Sequence, residues 1–261
     1  MLLVIDVGNT NTVLGLFDGD LLVHDWRIRT VKEATEDEFN VLVTGLFRDA
    51  DIDVKDVTMT IISCVVPPMM SILEAFCRKY IGHAPTWIDA QSVGTIMPIR
   101  YNNPSEVGAD RIVNAIAAYT KYRKGLIVID FGTATTFDVV SDKGEYIGGA
   151  ITPGVMISAE ALFQKASKLP RVELFEPPRA AIGMDTSSSM KSGIINGYAC
   201  LVDGMVDMIR KETAYELKVV STGGLATLIS HVAKSIEHIE QSLTLEGLKI
   251  ISEHISRSQK K

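Results

Sequence analysis

The sequence lacks several features that would place it in other classes of protein. It has three cysteines, at positions 64, 77 and 200, and no Cys-x-x-Cys pair, so we expect reduced, buried thiols rather than a disulfide framework. Its five histidines form no HExxH pattern, which argues against a zinc site. No apolar run reaches the roughly 18 residues that cross a bilayer, and no basic segment precedes the apolar start. We therefore expect a cytoplasmic protein without membrane association.

Basic charge and the common phosphate-binding motifs are also scarce. Lys and Arg number 26 against 32 Asp and Glu, a formal net charge of -6. Because phosphate backbones are bound mainly by Lys and Arg, we expect no nucleic-acid partner. Neither GxxxxGK[ST] nor a GxGxxG after a strand occurs, which excludes the P-loop and the dinucleotide-binding fingerprint.

One short stretch of sequence is present twice. "LLVIDVGNTNTV" covers residues 2–13, and "LIVIDFGTATTF" covers residues 126–137. The offset is 124 residues, and six of the twelve positions are identical: Leu, Val, Ile, Asp, Gly and Thr. Identity of this extent in two apolar segments indicates internal duplication.

The two copies predict the same order of elements. In each copy a buried strand, a turn and two further antiparallel strands precede alternating helices and strands. Residues 34–47 predict a helix with apolar positions at Phe39, Leu42, Val43 and Leu46, and one helical stretch is expected from the "GG" at 223–224 to Ser256. The sequence thus predicts a duplicated α/β protein with a mixed sheet in each lobe. The loop "MPIRYNNPSEVG" divides it into lobes of residues 1–104 and 105–261.

The repeated turns combine an acid with hydrogen-bond donors. In Asp6-Val7-Gly8-Asn9-Thr10-Asn11-Thr12, the glycine lets a ligand approach the main chain, and the amides, Asn and Thr can donate to phosphate oxygens. An aspartate alone would repel a polyphosphate by roughly 4 kcal/mol at ~4 Å and an effective dielectric near 20. A cation between the aspartate and the polyphosphate turns this repulsion into attraction. Carboxylate, hydroxyl and phosphate oxygens are ligands that suit Mg²⁺. We infer that two such loops face each other across a cleft and hold a metal-nucleotide.

A structural reading of the same residues stays open. Asp6 and Asp130 would then only satisfy turn amides at hairpin ends, which aspartate often does. Recurrence of the acid with Gly at +2 and Thr at +6 favours the functional reading. "STGG" (221–224) and "GGAITPG" (148–154) are each either part of a ligand site or an ordinary turn before a helix.

The stretch after the loop predicts a helix that starts near Ala109, with Ile112, Ala115, Ile116 and Tyr119 on one face. Asp110 in the first turn agrees with the helix dipole, but Arg111 has the unfavourable sign for that position. A residue that breaks a local rule points to function. This pair is suited to accept a hydroxyl proton and to bind an anionic substrate.

Taken together, "DVGNTNT", "GADR", "DFGTATT", "GGAITPG" and "STGG" resemble, in this order, the type III pantothenate kinase family of the acetate/sugar kinase–Hsp70–actin superfamily. The resemblance covers nearly the whole chain. It implies a duplicated RNase H-like (actin-like ATPase) fold, a homodimer, and transfer of phosphate from ATP to pantothenate, the first step of coenzyme A synthesis. It also implies Mg²⁺ with ATP and a monovalent cation, K⁺ or NH₄⁺.

The resemblance assigns a role to each motif residue. Asp110 would be the catalytic base, and Asp130 would bind the monovalent cation. The ATP contacts would be Asp6, Val7, Gly8, Asn9, Thr10, Asn11, Thr12, Val13 and Thr133. The pantothenate contacts would be Tyr101, Gly108, Ala109, Asp110, Arg111 and Thr186.

Three other functions remain open on the residues alone. The chain could be a sugar kinase of the same superfamily, a ligand-sensing regulator without turnover, or an actin-like assembly protein. Sugar sites usually offer several acids and amides to multiple hydroxyls, whereas the Asp110 region offers a clamp for a carboxylate instead. Intact acids at Asp6, Asp110 and Asp130 argue against a regulator without turnover.

Overall fold

The structure is a computed structural model that describes residues 1–258. Residues 259–261, the end of the predicted C-terminal lobe, lie outside the described part. The described residues form two compact units: residues 1–117 with 244–258, and residues 118–243. This division falls inside a helix, and the lobe limits 1–104 and 105–261 stay a prediction.

The first unit contains a five-stranded mixed sheet in the order β3-β2-β1-β4-β5. Its central strand β1 pairs antiparallel with β2 on one side and parallel with β4 on the other. The strands are β1 Leu2–Val7, β2 Asn11–Asp18, β3 Leu21–Arg29, β4 Met59–Cys64 and β5 Thr86–Trp87. The helices are α1 Glu36–Asp49, α2 Pro67–Phe76 with a π-helical turn Cys77–Ile81, α3 Ala109–Tyr122, which continues into the second unit, and α7 Leu243–Ser258, which joins this unit from Thr244.

The second unit repeats this sheet. Its order is β10-β9-β6-β7-β8, and the central strand β6 again has an antiparallel neighbour on one side and a parallel one on the other. The strands are β6 Gly125–Phe131, β7 Ala134–Val140, β8 Tyr146–Pro153, β9 Leu217–Thr222 and β10 His238–Ile239. The helices are α4 Val155–Lys165, α5 Thr186–Glu212 and α6 Ala226–Ser230. The predicted duplicated α/β fold with two mixed sheets is confirmed.

Each central strand is apolar on both faces, which explains its position. In the first unit, alternate β1 side chains Leu3, Ile5 and Val7 enter a core with Phe47 of α1 and Leu73 of α2. Residues Val4 and Asp6 therefore lie on the opposite face of the strand. In the second unit, β6 enters an equivalent core with α5.

Four details differ from the sequence-based expectations. Leu42 of α1 is half exposed, because the buried row is Phe39, Val43 and Phe47. The single closing helix is wrong: α6 and α7 are separated by β10, whose two residues pair with β9 and carry no periodic signal. Cys200 is exposed on α5, not buried. The middle of α3 is buried on all sides rather than on one face.

Candidate active site

The first acidic turn joins β1 to β2. Asp6 is the last residue but one of β1, and its Oδ1 atom is buried. The Gly8 amide donates to the Asn11 carbonyl at 3.0 Å, which closes the turn. Asn9 and Thr10 are exposed at its tip. The turn thus presents polar groups to solvent directly after a buried strand.

Thr30, which was not predicted from the sequence, holds this turn in place through hydrogen bonds. It follows β3, and its hydroxyl donates to the Gly8 carbonyl at 2.7 Å. The same oxygen lies 2.9 Å from the Thr12 hydroxyl, and the Thr30 amide donates to the Thr10 carbonyl at 3.0 Å. These contacts fix the turn at three points. No local motif marks Thr30, because its role depends on the pairing of β2 with β3.

The second acidic turn joins β6 to β7 and is one residue shorter. Its closing hydrogen bond runs from the Gly132 amide to the Ala134 carbonyl at 3.1 Å, and Gly132 and Thr133 are exposed. The residue opposite the end of β6 is Thr135, as Thr12 is opposite the end of β1. The threonines at +6 from each aspartate, Thr12 and Thr136, therefore do not occupy equivalent positions in the two hairpins. The buried threonines Thr12 and Thr135 are the equivalent pair.

Two glycines pack directly against the second turn. Gly223 has φ +93°, and a methyl group on it would lie 2.4 Å from Asp130 Oδ1 and 2.7 Å from the Phe131 amide nitrogen. Gly154 donates its amide to the Thr133 carbonyl at 3.1 Å, and a methyl group on it would lie 2.2 Å from that oxygen. The "STGG" and "GGAITPG" motifs thus form the surroundings of Asp130 and Thr133.

Asp110 and Arg111 occupy the first turn of α3, as expected. The Arg111 amide donates to Asp110 Oδ1 at 2.8 Å, which holds the carboxylate at the helix start. The Arg111 side chain is 8% exposed. A methyl group on Gly108 would lie 2.6 Å from Asp110 Oδ1, so only glycine leaves room for the carboxylate in this position.

Val65 connects the first acidic turn with the start of α3. Its amide donates to the Val7 carbonyl at 3.1 Å, and its side chain lies 3.5 Å from the methyl position of Gly108. Beside it lies a cavity of about 650 Å³ whose wall includes Gly108 and Ala109. This volume is in the range of small-ligand sites. Asp89 and Glu106 also line the cavity.

Thr186 lies in the other compact unit. It is the first residue of α5, which is capped by Asp185 through the Ser188 amide at 2.8 Å. Thr186 lines a mainly apolar cavity of about 940 Å³ with Tyr198. The Tyr198 hydroxyl donates to the Pro153 carbonyl at 2.6 Å, next to Gly154.

Two thiols have perturbed acidity. Burial, with a smaller effect from the Asp6 charge, raises the pKa of Cys64. Burial also raises the pKa of Cys77 to about 12. Both therefore stay protonated near neutral pH, and neither is suited to act as a nucleophile.

Within residues 1–258, no group of three or more His, Cys, Asp or Glu side chains is arranged to hold a metal ion. No helix in that part of the chain combines the length and apolar character needed to cross a membrane.

The predicted site residues are thus divided between the two units. The first unit contains residues 6–13, Tyr101 and residues 108–111. The second unit contains Asp130, Thr133 and Thr186. Asp130 lies against Gly223 and Thr133 against Gly154, and residues 6–13 are linked to Gly108 through Val65.

Known proteins are similar to this chain in fold and, more closely, in sequence. Two solved structures share its fold: MreB 5 of Spiroplasma citri bound to AMPPNP (TM-score 0.58, 11% identity, 99% of this chain and 98% of that one) and component A of (R)-2-hydroxyglutaryl-CoA dehydratase of Acidaminococcus fermentans (TM-score 0.54, 14%, 96% and 98%). At these identities the likeness shows the actin-like ATPase fold alone.

Sequence relatives are much closer. The type III pantothenate kinases of Desulfatibacillum aliphaticivorans and Desulforapulum autotrophicum are 62% and 61% identical to it. The alignments cover 99% of this chain and 100% of the first relative, and 97% of both chains for the second. Residues 2–208 match the profile of the family described as Type III pantothenate kinase. The chain belongs to the type III pantothenate kinase family.

Proposed function

We propose that Asp110 is the base in the pantothenate kinase reaction, in which ATP and pantothenate give ADP and 4′-phosphopantothenate. The observation that carries this proposal is the position of its carboxylate, held by the Arg111 amide at 2.8 Å and given room by Gly108. Asp110 would orient the primary hydroxyl of pantothenate towards the γ-phosphorus and accept its proton as the new P–O bond forms. Phosphoryl transfer is mostly positioning and charge neutralisation, so one well-placed carboxylate is sufficient as the proton acceptor.

The two acidic turns would bind ATP. The exposed tips at Asn9, Thr10 and Thr133 offer amide and hydroxyl donors to phosphate oxygens. Val7 and Thr12 have buried side chains, so their contribution would come from the main chain. The proposed ATP contacts are Asp6, Val7, Gly8, Asn9, Thr10, Asn11, Thr12, Val13 and Thr133.

A monovalent cation, K⁺ or NH₄⁺, would be held by Asp130, and Mg²⁺ would arrive with ATP. Oxygen ligands suit these hard cations. The Asp130 carboxylate lies against the Gly223 main chain, and Thr222 is its partner in register on β9. When bound, the cations supply the positive charge that offsets repulsion between the acids and the phosphates.

Pantothenate would be bound by Tyr101, Gly108, Ala109, Arg111 and Thr186. Arg111 is the cation suited to the pantothenate carboxylate, because a guanidinium forms two parallel hydrogen bonds with such a group. Burial of Arg111 keeps its side chain in one orientation and away from competing water.

The homodimer also belongs to this proposal. Several large apolar side chains of the second unit are exposed, and burial in a dimer interface would remove them from water. The exposed residues include Ile151, Met156, Phe175, Ile182 and Met184. Light scattering in solution should give twice the 28.5 kDa of one chain. A cytoplasmic location agrees with the need for ATP.

The variant Asp110→Asn tests the central assignment. Asparagine keeps an acceptor for the Arg111 amide but cannot take a proton, so ADP formation with pantothenate should fall about 10²–10⁴-fold. Thermal stability and ATP binding should stay at the wild-type level. Asp89→Asn is the matched control, because Asp89 lines the cavity beside Gly108 and Ala109 and has no assigned role.

Two results would contradict the proposal. Wild-type turnover in Asp110→Asn would remove the base assignment. ADP formation that does not depend on pantothenate would remove the substrate assignment. Repeating the assay in K⁺ and in Na⁺ buffer tests the monovalent cation, because the proposal expects faster turnover in K⁺.

A further inference from the structure

Ser63 is a buried polar residue to which nothing above gives a role. It is the last residue but one of β4 and is completely buried. Its hydroxyl forms no hydrogen bond within residues 1–258. A buried hydroxyl without a partner costs free energy, so the position favours alanine unless a partner is present in some state of the protein.

The register of the sheet places Ser63 beside Asp6. Strands β1 and β4 are parallel, and Asp6 pairs with Ser63. Ile5 and Ile62, the pair before them, enter the hydrophobic core of the first unit. Since side chains alternate along strands, Asp6 and Ser63 share the opposite face of the sheet.

The second unit has the same arrangement. Asp130 of β6 pairs with Thr222 of the parallel strand β9, and Thr222 is buried as well. A buried hydroxyl therefore accompanies the strand-end acid in both copies. A sequence alignment does not show this equivalence. Aligning "IISC" (61–64) with "VVST" (219–222) pairs Ser63 with Ser221 rather than with Thr222.

We propose that Ser63 is a positioning residue for Asp6, and that its hydroxyl gains a hydrogen-bond partner when ATP and its cation bind beside that carboxylate. The inference rests on the proposed role of Asp6. In the free enzyme the Ser63 hydroxyl lowers the stability of the fold, because it is buried without a partner. In the ATP complex it holds the Asp6 carboxylate and the oxygens that surround it in place. Ser63 touches no reacting atom and acts only through Asp6.

The test compares Ser63→Ala with Thr60→Val. Thr60 lies on the same strand and is buried, but its register partner Leu3 is in the core and its hydroxyl lies beside the Cys77 thiol. Both variants lose a buried hydroxyl from β4. Melting temperature without ligand and the Kd of Mg²⁺–ATP, measured by titration calorimetry, are the two readouts.

Ser63→Ala should melt at or above the wild-type temperature without ligand, and should bind ATP about tenfold more weakly, which corresponds to 1.4 kcal/mol. Thr60→Val should bind ATP like the wild type. Ser63→Thr keeps the hydroxyl, as Thr222 does in the second unit, and should bind ATP within about threefold of the wild type.

Two outcomes would overturn the inference. One is a lower melting temperature of Ser63→Ala with unchanged ATP affinity, which would mean that the hydroxyl has a structural role. The other is equal loss of affinity in Thr60→Val. Asp6→Asn separates this inference from the proposed function. If Asp6→Asn loses ATP affinity while Ser63→Ala does not, only the role of Ser63 fails; if Asp6→Asn binds normally, the proposed role of Asp6 fails.

Discussion

Gly108→Ala displaces the proposed base without removing it. The added methyl carbon would lie 2.6 Å from Asp110 Oδ1, whereas ordinary contact begins at 3.4 Å, so the carboxylate must move by about 0.8 Å. Because a misplacement of about 1 Å can reduce catalysis 10²-fold, we expect kcat to fall by about 10–100-fold. The Asp110 side chain can rotate, so the fold should tolerate the change.

The assay is steady-state ADP production together with thermal unfolding. Gly108→Ala should melt close to the wild-type temperature while its kcat falls. Gly45→Ala is the control, because a methyl group there meets nothing within 4 Å and lies in α1. It should keep the wild-type kcat and gain about 0.5–1 kcal/mol of stability. Wild-type kcat in Gly108→Ala would refute the claim that the position of the Asp110 carboxylate controls the rate.

Two further predictions concern the first unit. Thr30→Val leaves the Gly8 carbonyl and the Thr12 hydroxyl without this partner, so the free energy of unfolding should fall by about 1–3 kcal/mol. The KM for ATP should rise while the KM for pantothenate does not. An unchanged KM for ATP would show that Thr30 does not support the turn. The pKa of Cys77 is raised to about 12 in the folded state, against about 8.5 in the unfolded chain. The contribution of the protonated Cys77 thiol to stability is therefore complete below pH 8.5 and is lost as the pH rises, because the unfolded chain releases its proton first. Between pH 8 and 10 the wild type should lose about 1–2 kcal/mol more stability than Cys77→Ala in urea titrations, and equal losses would contradict the pKa shift.

Much of the fold was readable from the sequence because its signals are local. The apolar runs of β1 and β6 and the first turn of α3 all lie where they were predicted. The repeated motif with its acid and glycine predicted the duplication. The sheet topology confirmed it, since both sheets have the same strand order.

What the sequence did not reveal depends on pairing between distant strands. The second acidic turn is one residue shorter than the first, so identical letters at Thr12 and Thr136 are not equivalent positions. No sequence motif marks Thr30 or Ser63, and their roles can be recognised only from the pairing of the neighbouring strands. The short strand β10 is recognisable only by its pairing with β9.

The account depends most on the claim that the acidic turns of both units serve ATP. The most direct measurement is calorimetric titration of Mg²⁺–ATP, in K⁺ buffer, into the wild type and into Asp6→Asn and Asp130→Asn. The account predicts that each variant stays folded and binds ATP at least about tenfold more weakly, because each has lost a charged ligand for a cation. Wild-type affinity in either folded variant would contradict it.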